Sequence, residues 1–196
     1  MDGERALATC SEPMTRGHQE RLGPMVREVM LAAGLEFDAV QRIAVTVGPG
    51  SFTGLRVGLA FAKGLGLALG LPVAGIGTLE ALAVGSPERC ASVVDAGRGR
   101  VYVQAFLDGA AVSQPASLEI EEAGVRLRDL LGDRARLIGP GAPLLAALLP
   151  LWELEPRAAP DPLALARLAA TRPLQPAQPL YLRAPDATPK ALRQLR

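Results

Sequence analysis

Histidine is almost missing from this chain of 196 residues: His18 is the single one. A zinc or di-iron centre built from several imidazoles is thereby excluded. No serine–histidine–carboxylate set assembles around it either, and its place near a helix start suits a capping or surface role. Cysteine is nearly as scarce. Cys10 and Cys90 stand in no metal-ligand spacing, and two unclustered thiols suit a reducing cytosol, so a cytoplasmic location is expected. Aromatic residues make up 4%, with one Trp and two Tyr, too few for the series of stacking rings that single-strand-binding modules use. Lysine is limited to Lys63 and Lys190, so the basic charge is nearly all arginine. Lys+Arg of 21 against Asp+Glu of 20 leaves a formal net charge of +1, and no global field draws nucleic acid or a membrane to the chain. The opening residues carry no apolar signal segment, and the longest apolar run, Gly64 to Gly77, contains Pro72 and is too short for a bilayer. No membrane partner is expected.

What is present is the composition of an ordinary globular protein, 49% hydrophobic and 21% charged, long enough for one domain or two small ones. Residues 5–10 read as a short strand after an Asp2-Gly3 turn, although only Met1 precedes that turn to serve as its partner. A helix is predicted over His18 to Ala33, with Leu22, Met25, Val26 and Val29 on one face, Pro24 in its early part and Gly34 as C-cap. Ile43 to Val47 reads as a buried strand, about Thr53 to Gly70 as a helix, Val73 to Ile76 as a strand, and a further helix starts near Thr78. Strand, loop, helix, strand, helix is an α/β pattern. From Cys90 the pattern changes. Ala91 to Asp95 and Arg100 to Leu107 form a hairpin around Ala96–Gly99, Leu118 to Leu131 suits a helix, and Ala135 to Ile138 a strand. Pro143 to Leu149 and Asp161 to Thr171 read as short helices, the second with an Asp N-cap followed by proline, and a proline-rich extended tail begins at Pro173. The change of pattern places a boundary at residues 84–89, dividing the chain into a lobe of residues 1–87 and another of 88–196.

The most informative local feature is the loop Gly48-Pro49-Gly50-Ser51-Phe52-Thr53-Gly54 between strand and helix. Such a turn presents backbone N–H groups and a helix N-terminus to an anion, which makes Gly48, Gly50 and Ser51 candidate anion-binding residues. It is neither a Walker A loop, since no Lys-Ser/Thr pair follows, nor the dinucleotide fingerprint, whose third glycine is displaced. A tight connection capped by Ser51 or Thr53 is the alternative reading. In the helix behind the loop, Gly54, Gly58, Ala62, Gly66 and Gly70 recur at every fourth position. Each interior glycine costs about 1 kcal/mol relative to Ala, so close approach of another element must offset it. Arg56 and Lys63 share a narrow polar stripe, while Leu55, Val57, Leu59, Phe61, Leu65, Leu67 and Leu69 make the rest apolar. A helix apolar nearly all round needs cover on more than one side, from a partner subunit or a neighbouring helix of the same chain.

Other candidates for chemistry are weaker. Asp95, ending the strand before Ala96-Gly97, stands in a turn that can hold metal or phosphate in sugar-kinase-like folds and is equally a plain hairpin turn. Glu80 has no evident acid/base partner in the sequence. Glu119, Glu121 and Glu122 fit a solvated helix start. Trp152 and Tyr181 read as anchors for the C-terminal tail. No catalytic residue and no metal ligand is assigned.

Taken together, Gly48-Pro-Gly-Ser-Phe-Thr-Gly-Leu-Arg56, Ala62-Lys63-Gly64-Leu65 and Gly77-Thr78-Leu79-Glu80-Ala81-Leu82 resemble the bacterial TsaB (YeaZ) family. Arg16-Gly17-His18, Glu20-Arg21-Leu22, Val94-Asp95-Ala96 through Tyr102, and Tyr181 to Ala187 extend the resemblance over nearly the whole chain. It implies a two-lobe actin-like α/β fold (sugar kinase/actin, RNase H-like) and a role in forming threonylcarbamoyladenosine beside the tRNA anticodon. It further implies that the chain is the non-catalytic partner of TsaD in a heterodimer. TsaE and tRNA would be reached through the complex, and ATP would be used by the complex with no cofactor bound by this chain. Thr78 and Leu82 stand where TsaD carries the two metal-binding histidines, and neither can replace one. Carried over, the pairing surface is the two helices 18–33 and 53–70, with Leu22, Met25, Val26, Val29, Gly54, Gly58, Phe61 and Ala62 as interface residues; a homodimer through the same helices stays open. Two departures stand out. Gly97 and Arg100 replace the Arg and Glu usual at the hairpin, and the family's opening strand with its Asp-Thr motif is missing, so the native start is expected about twenty residues upstream. A stand-alone nucleotide-binding enzyme using the glycine loop and Asp95 is the competing reading.

Overall fold

The computed structural model describes residues 1–2, 5–13, 17–86 and 88–183. Gly3 of the expected turn, Arg16, the His18 side chain and Ala184 to Ala187 lie outside them. Two parallel strands, β1 (Ile43–Gly48) and β2 (Val73–Gly77), form the first sheet, paired from Ile43–Val73 to Thr46–Ile76 and, after a one-residue register shift, at Gly48–Gly77. Helices α1 (His18–Ala33) and α2 (Phe52–Leu69) belong with them, as does α3 (Thr78–Ala83), which follows β2 directly. The second sheet is built on the antiparallel pair β3 (Arg89–Gly97) and β4 (Arg100–Leu107). Next to β4 lie β5 (Ala110–Ala111) and β6 (Ala116–Glu119); on the other side of β3 follow the parallel β7 (Arg136–Ile138) and β8 (Glu153–Glu155). Helices α4 (Ile120–Leu131) and α5 (Pro162–Thr171) complete the element order.

Local chemistry accounts for most boundaries. Gly34 and Gly70 close α1 and α2 in the left-handed conformation, with their N–H groups donating to the last carbonyls of the helix. Ser51 caps α2 by accepting from Gly54 N, and Asp161 caps α5 by accepting from Leu163 N ahead of Pro162. Pro24 stays inside α1.

Several expectations are corrected. Residues 5–10 form no strand; only an isolated bridge joins Asp2 to Arg5, because no described segment offers that stretch a ladder. Residues 116–119 are strand β6 rather than the start of the next helix, since Leu118 pairs with Val101 and is buried. The stretch after Gly141 makes a 3-10 turn over Ala142–Leu145 and not a longer helix. Trp152 belongs to the core beneath the second sheet, not to the tail.

Three apolar clusters result. The largest, beneath the second sheet, gathers Val93, Val101, Leu127, Leu131, Leu137, Leu145 and Leu149. A smaller one holds Ala74, Ile76 and Ala81 against Leu168 and Ala169 of α5. Between them Leu82, Ala83, Cys90, Phe106 and Ile138 pack at the junction where α3 passes into β3. Arg157 ties the same junction, donating to Leu82 O at 2.8 Å and Val84 O at 3.2 Å while pairing with Glu155. Burial pushes the Cys90 thiol up to about 11, with nearby Arg157 pulling the other way. Cys90 is buried and Cys10 half-buried, both free. In the folded chain a thiol reagent at neutral pH is expected to titrate one cysteine quickly and the second only after denaturation, a measurement a simple absorbance assay makes.

Candidate functional site

The loop that follows β1 and the strand end of β3 face one another across a cleft of about 640 Å³ between the two sheets. Gly50 and Ser51 line it from the first, Asp95 from the second, so three of the four candidate anion-binding residues share one space. Gly48 does not line it: it is buried behind the loop at φ +105°, where an added Cβ would stand 3.1 Å from Leu180 O and from Leu55. That crowding, in a left-handed conformation, is why the position is glycine. Asp95 accepts from Gly97 N at 2.7 Å, so its carboxylate closes the hairpin turn while remaining exposed to the cleft. Gly139 and Gly141, following β7, approach that strand end so closely that an added Cβ would come within 2.5 Å of Val93 O and 2.9 Å of Asp95 N respectively.

The C-terminal stretch supplies the cleft's third wall. Gly75 N donates to Gln175 O, Ala74 bridges Pro176, and Leu180 N donates to Val47 O at 2.7 Å, so the tail is stitched along the first sheet. It then passes Tyr181 across the start of α2, where the Tyr181 hydroxyl accepts from Arg56 Nε at 3.0 Å. Arg183 reaches Ala96 O of the second sheet. Tyr181 thus anchors the tail as its sequence position suggested. The Phe52–Arg56–Tyr181 grouping itself was not legible, since Tyr181 lies 125 residues from Arg56.

The helix face assigned to a partner divides in two. Ala62 and Gly66 turn inward with Leu59 as the buried residues of α2; a Cβ on Gly66 would lie 2.4 Å from the Val73 side chain and 3.0 Å from Leu71 O. The close approach that the glycine spacing required is therefore, at Gly66, the chain's own sheet. Phe61 lies between the helices, 3.8 Å from where a Gly23 Cβ would sit on α1. Gly54 and Gly58 are half-buried, and among the described residues nothing lies within 4 Å of a Cβ placed on Gly58. Leu22, Met25, Val26 and Val29 of α1 are all half-buried. A second small-residue row, Ala60, Gly64 and Ala68, is exposed together with Leu67, which is 87% accessible. The same every-fourth spacing marks this row in the sequence, shifted by two positions from the one first noticed. By length and composition α2 could cross a membrane, yet it lies against β1 with Gly66.

Elsewhere, Glu80 has a partner after all in Arg172. Cys10, Glu12 and Glu28 come together with metal-ligand reach, but the Arg21 guanidinium pairs with both carboxylates and holds them below their ordinary range. Leu82, at one of the two positions discussed above, is buried among Phe106 and Ile138 with 1% exposure.

The sequence profile of the TsaD family, tRNA N6-adenosine threonylcarbamoyltransferase, matches residues 11–141. An uncharacterised protein of Mycobacterium tuberculosis is 38% identical over 178 residues, which cover 90% of this chain and 80% of that protein. The tRNA threonylcarbamoyladenosine biosynthesis protein TsaB of Escherichia coli is 37% identical over 92 residues, 44% of this chain and 40% of its own length. Among solved structures, YeaZ from Pseudomonas aeruginosa superposes with a TM-score of 0.73 at 29% identity, over 87% of both chains. The actin-like α/β fold and the motif resemblance agree with the family profile, TsaB and YeaZ, and the chain belongs to the TsaB (YeaZ) family within the wider TsaD family.

Proposed function

We propose that this chain acts in tRNA threonylcarbamoyladenosine biosynthesis as the partner subunit of a TsaD-type transferase and does not itself catalyse the transfer. The observation that carries this reading is α2. Of its eighteen residues only Leu59, Ala62 and Gly66 are buried, although the helix is apolar nearly all round. Beside it α1 leaves Leu31 81% accessible. Apolar surface left open over two adjacent helices favours a protein partner. The names of the relatives point to which one. The non-catalytic part rests on residue chemistry: Thr78 and Leu82 offer no imidazole, and Leu82 is packed in the junction core. In this reading the lobes divide at residues 84–89. TsaE, tRNA and ATP are engaged by the assembled complex, and Gly50, Ser51 and Asp95 take no part in threonylcarbamoyl transfer.

The test is reconstitution with TsaD from the same organism. Co-purification in a defined ratio, with tRNA modification that stops when this chain is omitted and survives Asp95→Ala, is the expected result. Modification by this chain without TsaD, or ATP turnover lost on Asp95→Ala, would instead favour the stand-alone nucleotide enzyme.

A further inference from the structure

Two of the chain's seven aromatic rings are exposed and meet at a tilt of 38° at the mouth of the cleft. Phe52 is 48% accessible and Tyr181 46%, with ring centroids 5.6 Å apart. The Arg56 guanidinium lies 3.6 Å from the Phe52 centroid and 5.8 Å from that of Tyr181. Its Nε is committed to the Tyr181 hydroxyl at 3.0 Å, so its plane is fixed, while among the described residues its two terminal amino groups have no hydrogen-bond partner. Holding an arginine over a ring and leaving its outer donors free makes a platform with an apolar face and a polar rim.

The folding role of this arrangement explains only half of it. Tyr181 holds the tail, and for that a buried aliphatic contact would serve as well. The exposure of both rings and the unused guanidinium donors are the features of a surface that receives something planar and polar-edged. An unpaired nucleobase fits: its face stacks on rings or guanidinium planes, and its edge or phosphate accepts from arginine. A base inside a duplex offers no such face. With a formal net charge of +1 the chain lacks the field for tight non-specific RNA binding, so contact would be local and would depend on stacking.

We propose that Phe52, Arg56 and Tyr181 form a stacking platform for an unpaired base of the tRNA on which the complex acts. This rests on the reading of the chain as a subunit in tRNA modification. Phe52 and Arg56 stand at i, i+4 on one face of α2, whereas Gly58 and Gly64 lie off that face, so RNA contact and TsaD pairing can be separated.

The experiment uses the full chain, alone and in complex with TsaD. Fluorescence anisotropy is read with three labelled probes: an anticodon stem-loop RNA, the same stem closed as an uninterrupted duplex, and an ATP analogue. Retention of TsaD is scored in parallel by pull-down. The stem-loop is expected to bind more tightly than the duplex. Phe52→Leu and Arg56→Ala are each expected to weaken stem-loop binding about tenfold or more, with TsaD retained. Tyr181→Phe, which keeps the ring but drops the hydroxyl that fixes Arg56, is expected to weaken stem-loop binding by less than Arg56→Ala does, while circular dichroism checks that every variant remains folded. Equal affinity for loop and duplex overturns the proposal, as does stem-loop binding unchanged in both Phe52→Leu and Arg56→Ala. Loss of ATP-analogue binding alone would mark the cleft as a mononucleotide site and overturn it too. If wild type fails to retain TsaD, the subunit reading falls, and the anisotropy of the isolated chain still decides the platform.

Discussion

Gly64→Arg and Gly58→Leu are each expected to leave this chain folded and to abolish its pairing with TsaD. Among the described residues, no atom comes within 4 Å of a Cβ added at either position, and Gly64 is exposed. Replacing an interior helix glycine by Leu or Arg improves helix propensity by roughly 0.8 kcal/mol, so the isolated chain should melt no lower than wild type. At a closely packed helix–helix interface the same side chains have nowhere to go, and overpacking of about 3 kcal/mol weakens binding more than a hundredfold. Gly66→Leu is the contrasting case. Its side chain would be driven into Val73 and the Leu71 carbonyl, both part of the chain's own structure. That variant is expected to be destabilised or unfolded before any partner is added. Thermal melting followed by circular dichroism, with pull-down on TsaD, separates the cases. Wild-type retention of TsaD by both Gly64→Arg and Gly58→Leu would move the docking surface away from α2.

These three glycines also show what sequence can and cannot resolve. The spacing of small residues was plain, and so was the need for close approach, because glycine in a helix costs free energy that something must offset. Which neighbour approaches is a tertiary fact: Gly66 meets β2, while no described residue comes within 4 Å of a Cβ added at Gly64. Helix ends were legible where chemistry marks them, as at Gly34, Gly70 and Asp161. Short strands were not. Leu118 sits in β6 because Val101 lies across from it, and no local propensity announces a partner seventeen residues away. The arginines were the least legible residues. Arg157 caps the end of α3 from a position 75 residues away, and Arg172 reaches Glu80 across 92. Within the candidate site, Phe52 and Arg56 stand one helical turn apart and could have been paired from spacing alone. Tyr181 could not, and it is the residue that fixes the Arg56 plane.

Phe106→Ala is expected to be the most destabilising single truncation of a side chain. Phe106 is 2% exposed, pairs with Cys90 across the β3–β4 ladder, and fills the junction cluster with Leu82, Ala83 and Ile138. Removing a buried phenyl ring from such a site costs about 3–5 kcal/mol, the lost transfer free energy plus that of the cavity left behind. Total stability of a domain this size is about 5–15 kcal/mol, so the loss is a large fraction of it. At about 2–4 °C per kcal/mol, the melting temperature should fall by about 6–20 °C. Phe106→Leu, which retains most of the volume, should lose about a third of that. The location decides the further consequence. The cluster lies where α3 hands the chain to β3, whereas the cleft takes Phe52 from the start of α2 and Asp95 from the end of β3. In Phe106→Ala, amide exchange should therefore rise first at Leu82–Cys90 and at the cleft-lining turn around Asp95. The α1–α2 pair, which packs on β1 and β2, should keep its protection, and TsaD should still be retained below the lowered melting temperature. A melting temperature within about 3 °C of wild type would mean that the junction collapses around the missing ring and that the two sheets are held by the Arg157 bonds and the tail instead.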